Sequence, residues 1–364
     1  MAISTTVIPS SQPKLGIKAD TTFGTLLDND GTDATNYRLL PMVQAPKPTF
    51  NIFRESRLLS GRGTAKNAAD TVITRKNGTV TCPFDFLATP ELLLEHLAMV
   101  TNTYNADGSN KYTVEIDGST NATSIGETIG GDAIPHTVNL AYRPAASEGI
   151  VIPGTTVSDL TLSCDYGADG GNLRMSGNYF SGFPVAFDTS GVGCLHDVNL
   201  TGTFAVPDEG EHFNLGTLSK KQLILEGNDQ DMILKSFSLT IANGVNRVGS
   251  DSKGNAEAYA FPEYTATGNI VVKYDGEFSM ADGVDVVSHF LDGNVGTLAL
   301  SFGDDTPSST GEMNILAEVQ YTGDPTQDMG EGGIFWNIPF ECVVNSSTEA
   351  LKISLFSDTA IGSM

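Results

Sequence analysis

From about residue 47 onward, apolar residues recur at every second position along most of this chain. Val138, Leu140 and Tyr142 form one run; Leu160, Leu162, Cys164 and Tyr166 a second; Phe237, Leu239 and Ile241 a third. Ile270, Val272 and Tyr274 continue the pattern, as do Leu298, Leu300 and Phe302, and then Met313, Ile315, Ala317, Val319 and Tyr321. Ser, Thr, Asn, Lys and Glu fill the positions between. A period of two predicts antiparallel strands that bury one face and leave the other polar. Asp107-Gly108, Asp169-Gly170, Asn243-Gly244 and Asp292-Gly293 supply turn chemistry between the runs.

Two segments carry a helical period instead. The first follows Thr89-Pro90, with Thr89 as a capping residue and Pro90 at the first helical position. Leu93, Leu97 and Val100 then share a face. The second follows Ser279, which Asp282 accompanies as a loose capping box; Met280, Val284, Val287 and Leu291 form its stripe and Asp292-Gly293 stops it. Each helix comes after a strand ending in an aromatic-Asp pair, Phe84-Asp85 and Tyr274-Asp275.

That coincidence points to an internal repeat. Gly78-Thr79-Val80 through Phe84-Asp85 aligns with Gly268-Asn269-Ile270 through Tyr274-Asp275 at an offset of 190 (268 − 78). Thr137–Tyr142 resembles Thr297–Phe302. At an offset of 155 (315 − 160), Tyr166 meets Tyr321, Asp169 meets Asp324, Gly177 meets Gly332, Phe180 meets Phe335 and Pro184 meets Pro339. The chain therefore reads as mainly β, with two tandem β-sandwich or barrel units, each with one flanking helix. The expected organisation is an extended arm over 1–44, a first unit over 45–190, a connecting segment over 191–230, and a second unit with a C-terminal extension over 231–364. An insertion rich in Asn, Gly, Ser and Thr, near 103–136, explains the change of offset. One large sandwich whose strands merely look alike is the competing reading.

Charge narrows the partners. The 364 residues hold 20 Lys+Arg against 44 Asp+Glu, a formal net charge of −24. Specific nucleic-acid binding needs a cationic surplus, and so does docking on an anionic membrane; both are disfavoured. No apolar run approaches the ~20 residues of a membrane span, and the N-terminus lacks the pattern of a signal peptide. Cys82, Cys164, Cys194 and Cys342 lack zinc or redox spacing and read as reduced, mostly buried thiols.

Enzyme chemistry leaves little trace. There is no G-x-x-x-x-G-K-[ST] loop and no G-x-S-x-G elbow. Gly167, Gly170 and Gly171 read as a β-turn. None of His96, His136, His196, His212 and His289 lies at metal-pair spacing from another. Asp28–Asp33 lacks the closing Glu of a calcium loop, since Leu39 stands at the twelfth position. No catalytic, cofactor-binding or metal site is expected. The long polar loop between Ile241 and Thr265 stands out, with a counterpart near 60–67 that is also long, polar and slightly basic. Asn243, Gly244, Arg247, Lys253, Arg62 and Lys66 on these loops are the residues expected to touch a neighbouring subunit.

Ile233-Leu234-Lys235-Ser236-Phe237-Ser238-Leu239-Thr240-Ile241-Ala242-Asn243-Gly244-Val245, the long loop, and then Tyr264-Thr265-Ala266-Thr267-Gly268-Asn269-Ile270-Val271-Val272 resemble the tail tube proteins of long, non-contractile-tailed bacteriophages. Contractile-tail tube proteins share the fold but are usually shorter. The resemblance implies a virion structural protein, located in the tail and made in the host cytoplasm, whose rings stack into a conduit for genome ejection. It implies rings of three with pseudo-hexameric symmetry for a duplicated unit, or of six otherwise. Partners would be other copies of the chain, a tape measure protein and tail completion or distal tail proteins. DNA would pass through the lumen without specific binding, and no membrane, cofactor or catalysis would be involved. An acidic wall suits that task, because it repels phosphates. A virion decoration or adhesion module built on β-sandwiches is the alternative; a two-carboxylate glycosidase is a third, weaker one.

Overall fold

The computed structural model describes residues 13–20, 23–25, 36–43, 45–56, 71–106, 110–117, 136–145, 148–168, 170–183, 199–201, 213–225, 228–231, 233–251, 254–273, 286–304, 306–330, 333–345 and 349–358. In chain order the first elements are β1 (Lys14–Ala19), β2 (Asn36–Leu39), β3 (Thr49–Ser56), β4 (Thr71–Leu87), α1 (Pro90–Val100), β5 (Thr103–Ala106), β6 (Lys111–Asp117), β7 (Val138–Ala145), β8 (Glu148–Asp165) and β9 (Arg174–Ser181). There follow β10 (Asn199–Thr201), β11 (Leu218–Leu225), β12 (Asn228–Asp231), β13 (Leu234–Ala242), β14 (Asn246–Val248), β15 (Ala258–Ala260) and β16 (Thr265–Lys273). The last are α2 (Val286–Leu291), β17 (Gly296–Phe302), β18 (Met313–Tyr321), β19 (Thr326–Gly330), β20 (Gly333–Cys342) and β21 (Glu349–Phe356). The chain is mainly β, as its alternation requires.

One run of antiparallel pairings organises the molecule. Its order is β3-β4-β9-β8-β13-β16-β20-β19. The centre of this run joins the two halves of the sequence, where Leu162 of β8 faces Leu239 of β13. A second run, β5-β6-β21-β18-β17-β11-β12, is also antiparallel. It too crosses between halves, because the late strand β21 pairs with the early strand β6 from Glu349↔Asp117 to Phe356↔Lys111. The hairpin within the expected insertion is thus tied to the C-terminal part of the chain. One cluster of buried side chains runs from Leu15 to Leu355 and draws on both halves.

Part of the expected arm is built into the sheet. Leu15 and Ile17 of β1 are fully buried, and β1 pairs with β7 along its whole length. β2 pairs with β1, and β10 pairs in parallel with β2. The alternation Leu15, Ile17, Ala19 provides the inward face. Residues 1–12 lie outside the described residues. The expected connecting segment likewise contributes β10, β11 and β12.

Helix α1 is more enclosed than a flanking helix. Every residue of it except Glu91 is buried, because it packs on β8 with one side and on β6 and β21 with the other. Thr89 occupies the N-cap position, but its hydroxyl makes no capping bond; the backbone bond from Leu93 N to Thr89 O (2.8 Å) opens the helix. Thr101 closes it, its hydroxyl donating to Leu97 O at 2.8 Å. Of the second expected helix, residues 274–285 lie outside the described residues. In α2, Val287 and Phe290 pack on the core and His289 is buried, whereas Leu291, expected in the stripe, is 74% exposed. Gly293 ends the helix in the left-handed region (φ 66°), as its sequence indicated.

Candidate functional site

The long polar loop folds back on its own chain. β14 and β15 pair as a small antiparallel ribbon. Beneath them Val245, Ala256, Tyr259 and Phe261 form a separate buried cluster with Phe183, against which Phe23, Phe180 and Tyr264 pack. Phe23 meets Phe183 and Tyr259 edge-on, with ring centres 5.4 and 5.0 Å apart. The Tyr259 hydroxyl donates to Gly154 O at 2.5 Å and accepts from Gly182 N at 2.6 Å.

This packing decides what the expected contact residues do. Asn243 is fully buried; its amide donates to Val157 O (2.8 Å) and Met99 O (3.2 Å), and its carbonyl accepts from Val245 N (3.2 Å). Asn243 therefore holds the loop's root to α1 and β8 and presents no side chain to a neighbour. Arg247 donates to three backbone carbonyls, those of Gly78 (2.6 Å), Gly249 (3.1 Å) and Gly254 (3.3 Å). Its head is used inside the chain. Gly244 is exposed in the left-handed region (φ 59°) and stays available, along with Asn246 and Val248. Lys253, Arg62 and Lys66 lie outside the described residues.

A buried carboxylate sits beside this cluster. Asp20 accepts from Thr137 Oγ1 (2.7 Å), Gly154 N (3.2 Å) and the Asn139 amide. Burial pushes its pKa up to about 7, although the hydrogen bonds pull it down. His96 in α1 has the opposite perturbation. Its Nδ1–H donates to Leu92 O and its Nε2 accepts from the Tyr179 hydroxyl, both at 2.6 Å. Burial pushes its pKa down to about 4.

The two groups act on stability in opposite senses. The raised pKa of Asp20 contributes stability fully present below 3.8, which is lost as pH rises through about 7. The lowered pKa of His96 contributes stability fully present above 6.5, which is lost as pH falls through about 4. Between about 4 and 6.5 the slopes oppose each other. Asp20→Asn is expected to remove one of them, so that the variant gains stability relative to wild type as pH rises from about 4 to about 7. Denaturant midpoints measured across that range check this; parallel profiles for the two proteins would contradict it.

The face of the eight-strand run turned away from the core is mostly polar. Alternation places Asp85 on β4; Arg174, Ser176 and Asn178 on β9; and Asp159, Thr161, Ser163 and Asp165 on β8. It adds Lys235, Ser236, Ser238 and Thr240 on β13, Thr267, Asn269 and Lys273 on β16, and Asn337 and Glu341 on β20, together with the apolar Val271, Phe335 and Pro339, the Lys235 ammonium lying 4.8 Å from the Phe335 ring centre. The registers align these into cross-strand rows. Ser176, Thr161, Thr240 and Thr267 make one row of hydroxyls, with Thr161 and Thr240 bonded at 2.9 Å. The guanidinium of Arg174 is paired with Asp85 at 2.8 Å, and Asp159 accepts from the Asn178 amide at 3.0 Å. Short uncharged side chains dominate, and among the described residues of this face carboxylates outnumber cations.

Among the described residues no group of three His, Cys, Asp or Glu is placed to hold a metal ion, and no helix is long and apolar enough to cross a membrane. Cys82 and Cys164 are buried free thiols, Cys342 is a half-buried one, and burial pushes all three up to about 12. Sequence reasoning did not find Asp20, Tyr259 or the hydroxyl rows. The rows were present as the polar half of the alternation, but they become a surface only once the registers are known. The chain matches no protein-family model, and no curated protein matches it.

Proposed function

We propose that this chain is a structural subunit of a bacteriophage tail tube, of the type that carries two copies of the tube unit and closes into stacked rings around a passage for DNA. The observation that carries this reading is the strand order of the eight-strand run. β3, β4, β9 and β8 occupy the same four positions, with the same chain order, as β13, β16, β20 and β18–β19. β7 lies beside β8 as β17 lies beside β18, and the hairpins β1–β2 and β11–β12 extend from β7 and β17 in turn. Two of the sequence similarities fall on matching members: Gly78–Pro83 and Gly268–Lys273 on β4 and β16, Val138–Tyr142 and Leu298–Phe302 on β7 and β17. α1 and α2 stand between matching strands as the helices of the two units.

The open face of the run is the proposed lumen wall. A polyanion slides over short hydroxyl and amide groups with little to grip, and unneutralised carboxylates keep it off the surface. The net charge of −24 has the same sign. A wall of unpaired lysine and arginine would instead hold phosphates in a salt-dependent manner. The role is structural rather than catalytic. Its partners are other copies of the chain, a tape measure protein along the bore and completion proteins at the tube ends, and its location is the virion tail.

Negative-stain electron microscopy of the purified chain tests the reading. Hollow rings or stacked tubes are the expected result. Single globules at every protein and salt concentration tried would end it.

A further inference from the structure

Asp20 stands where four parts of the chain meet. Its carboxyl holds Thr137 Oγ1 and the Asn139 amide at the start of β7, and Gly154 N in β8. The same Asn139 amide donates to Thr25 O at 3.1 Å, and the Tyr259 hydroxyl donates to Gly154 O. Asp20 is thus the hub of a series of hydrogen bonds that runs from residue 25 through β7 and β8 to the β14–β15 ribbon. Packing closes the same joint. Phe23 lies edge-on to Phe183 and Tyr259. Gly24 and Gly154 sit under the Phe183 ring, so close that a Cβ on Gly24 would lie 2.0 Å from it and one on Gly154 2.5 Å.

Among the described residues no ion pair reaches Asp20, which is 1% exposed. Lys18, two positions back on β1, is half-buried and lies across from Asn139. Arg38 of β2 is taken by Glu91, His136 beside Thr137 by Glu95 of α1, and Arg247 of β14 by three backbone carbonyls. Ile152–Thr155 and Ser181–Phe183 carry no titratable side chain, and burial keeps the Tyr259 hydroxyl protonated. As an acid, Asp20 fits without movement. A hydroxyl can accept as well as donate, so the 2.7 Å contact with Thr137 Oγ1 serves a carboxylic acid and a carboxylate alike. Ionised, Asp20 is a buried charge with no cation against it, which low-dielectric surroundings penalise. We infer that Asp20 is a proton-operated latch: protonated, it fastens residues 23–25 and the β14–β15 ribbon to β7 and β8, and its ionisation loosens both. Burial places the change near neutrality, at about 7, with the stabilisation present below and lost as pH rises through that value. Asn246 and Val248, exposed on the ribbon, are then held in one arrangement in mild acid and freed in mild base. The latch belongs to the single chain and does not depend on the proposed assembly.

Hydrogen exchange of the full chain at about pH 6 and about pH 8, each rate divided by that of an unstructured peptide under the same conditions, tests the latch. An opening that hydrates Asp20 returns it to its ordinary value of 3.8. Protection across 23–25, 243–251 and 254–264 is therefore expected to fall about tenfold from the lower pH to the higher. Protection in β18, remote from the joint in the second run, is expected to change less than about twofold. Asp20→Asn is expected to remove the dependence on pH. Tyr259→Phe cuts the hub from the ribbon, so 243–251 and 254–264 exchange fast at both pH values while 23–25 keeps its response. Equal protection at the two pH values in wild type overturns the latch even where neither variant folds. So does a fall of the same size in β18, which would mark a general loss of stability, and so does an Asp20→Asn profile that still follows pH.

Discussion

Leu239→Ala is expected to lower the unfolding free energy by about 2–5 kcal/mol, the range for emptying a well-packed leucine site. Leu239 is fully buried on β13, faces Leu162 on β8 and has Gly268 of β16 as its other neighbour. Gly268 has no side chain to move into the gap, and the Phe340 ring already lies over it. The cavity therefore stays open rather than collapsing. Leu162→Ala is expected to cost a similar amount, and the double variant less than the sum, since the two side chains line one space. Thr240→Ala, one position along but on the open face, removes a single hydrogen bond to Thr161 and is expected to cost no more than about 1.5 kcal/mol. Urea titrations of the four variants give the comparison. A Leu239→Ala loss no larger than that of Thr240→Ala would mean that the halves are not packed at this junction.

Tyr259 carries the second large effect. Tyr259→Phe leaves Gly182 N and Gly154 O without the hydroxyl that joins them, at about 1–3 kcal/mol for each buried group. Tyr259→Ala also removes the ring against which Phe23 and Phe180 pack, which adds a cavity and brings the total to more than about 3 kcal/mol. The loss should be local first. Amide exchange across 243–251 and 254–264 is expected to speed up in Tyr259→Phe before the global midpoint moves far. Unchanged exchange in that segment would show that the hydroxyl is not what holds it. The same packing argues against excising residues 242–262 as a test of assembly, since the cut would expose Phe183 and Gly154 along with removing the loop.

These side chains also show how far the sequence could be read. Phe237, Leu239 and Ile241 announce β13 because each is apolar and inward, while the residues between and beside them, Ser236, Ser238, Thr240 and Ala242, face outward. β1 carries the same alternation in Leu15, Ile17 and Ala19, but it is a short strand within Pro-, Ser- and Gly-rich surroundings, and its burial depends on β7, more than a hundred residues later. Helix α1 was legible as a helix, but its enclosure was not read. Its sequence, PELLLEHLAMV, has almost no polar face, which is the mark of a helix buried all round. Glu95 and His96 hid that signal, yet both are buried, Glu95 against His136 and His96 against Tyr179. In the long loop, polar composition concealed Tyr259, Phe261 and Tyr264, because the strand period from Tyr259 to Phe261 is too short a run to stand out. The open face needed more than local pattern, because a row of hydroxyls exists only when distant strands fall into register.

The pairing of β21 with β6 has a bearing on when a newly made chain is complete. The ribosome makes Lys111–Asp117 long before Glu349–Phe356. Until the later strand emerges, β6 and β18 each lack a neighbour, and the side of α1 that packs on β21 is bare. Nascent chains thus pass through a stage in which adhesive edges are on show and the molecule is unfinished. A chaperone, or simple delay in reaching high concentration, would have to keep those half-made copies apart. Maturation of each copy is timed by translation itself, so premature joining of incomplete pieces is the failure that a cell expressing this polypeptide has to guard against.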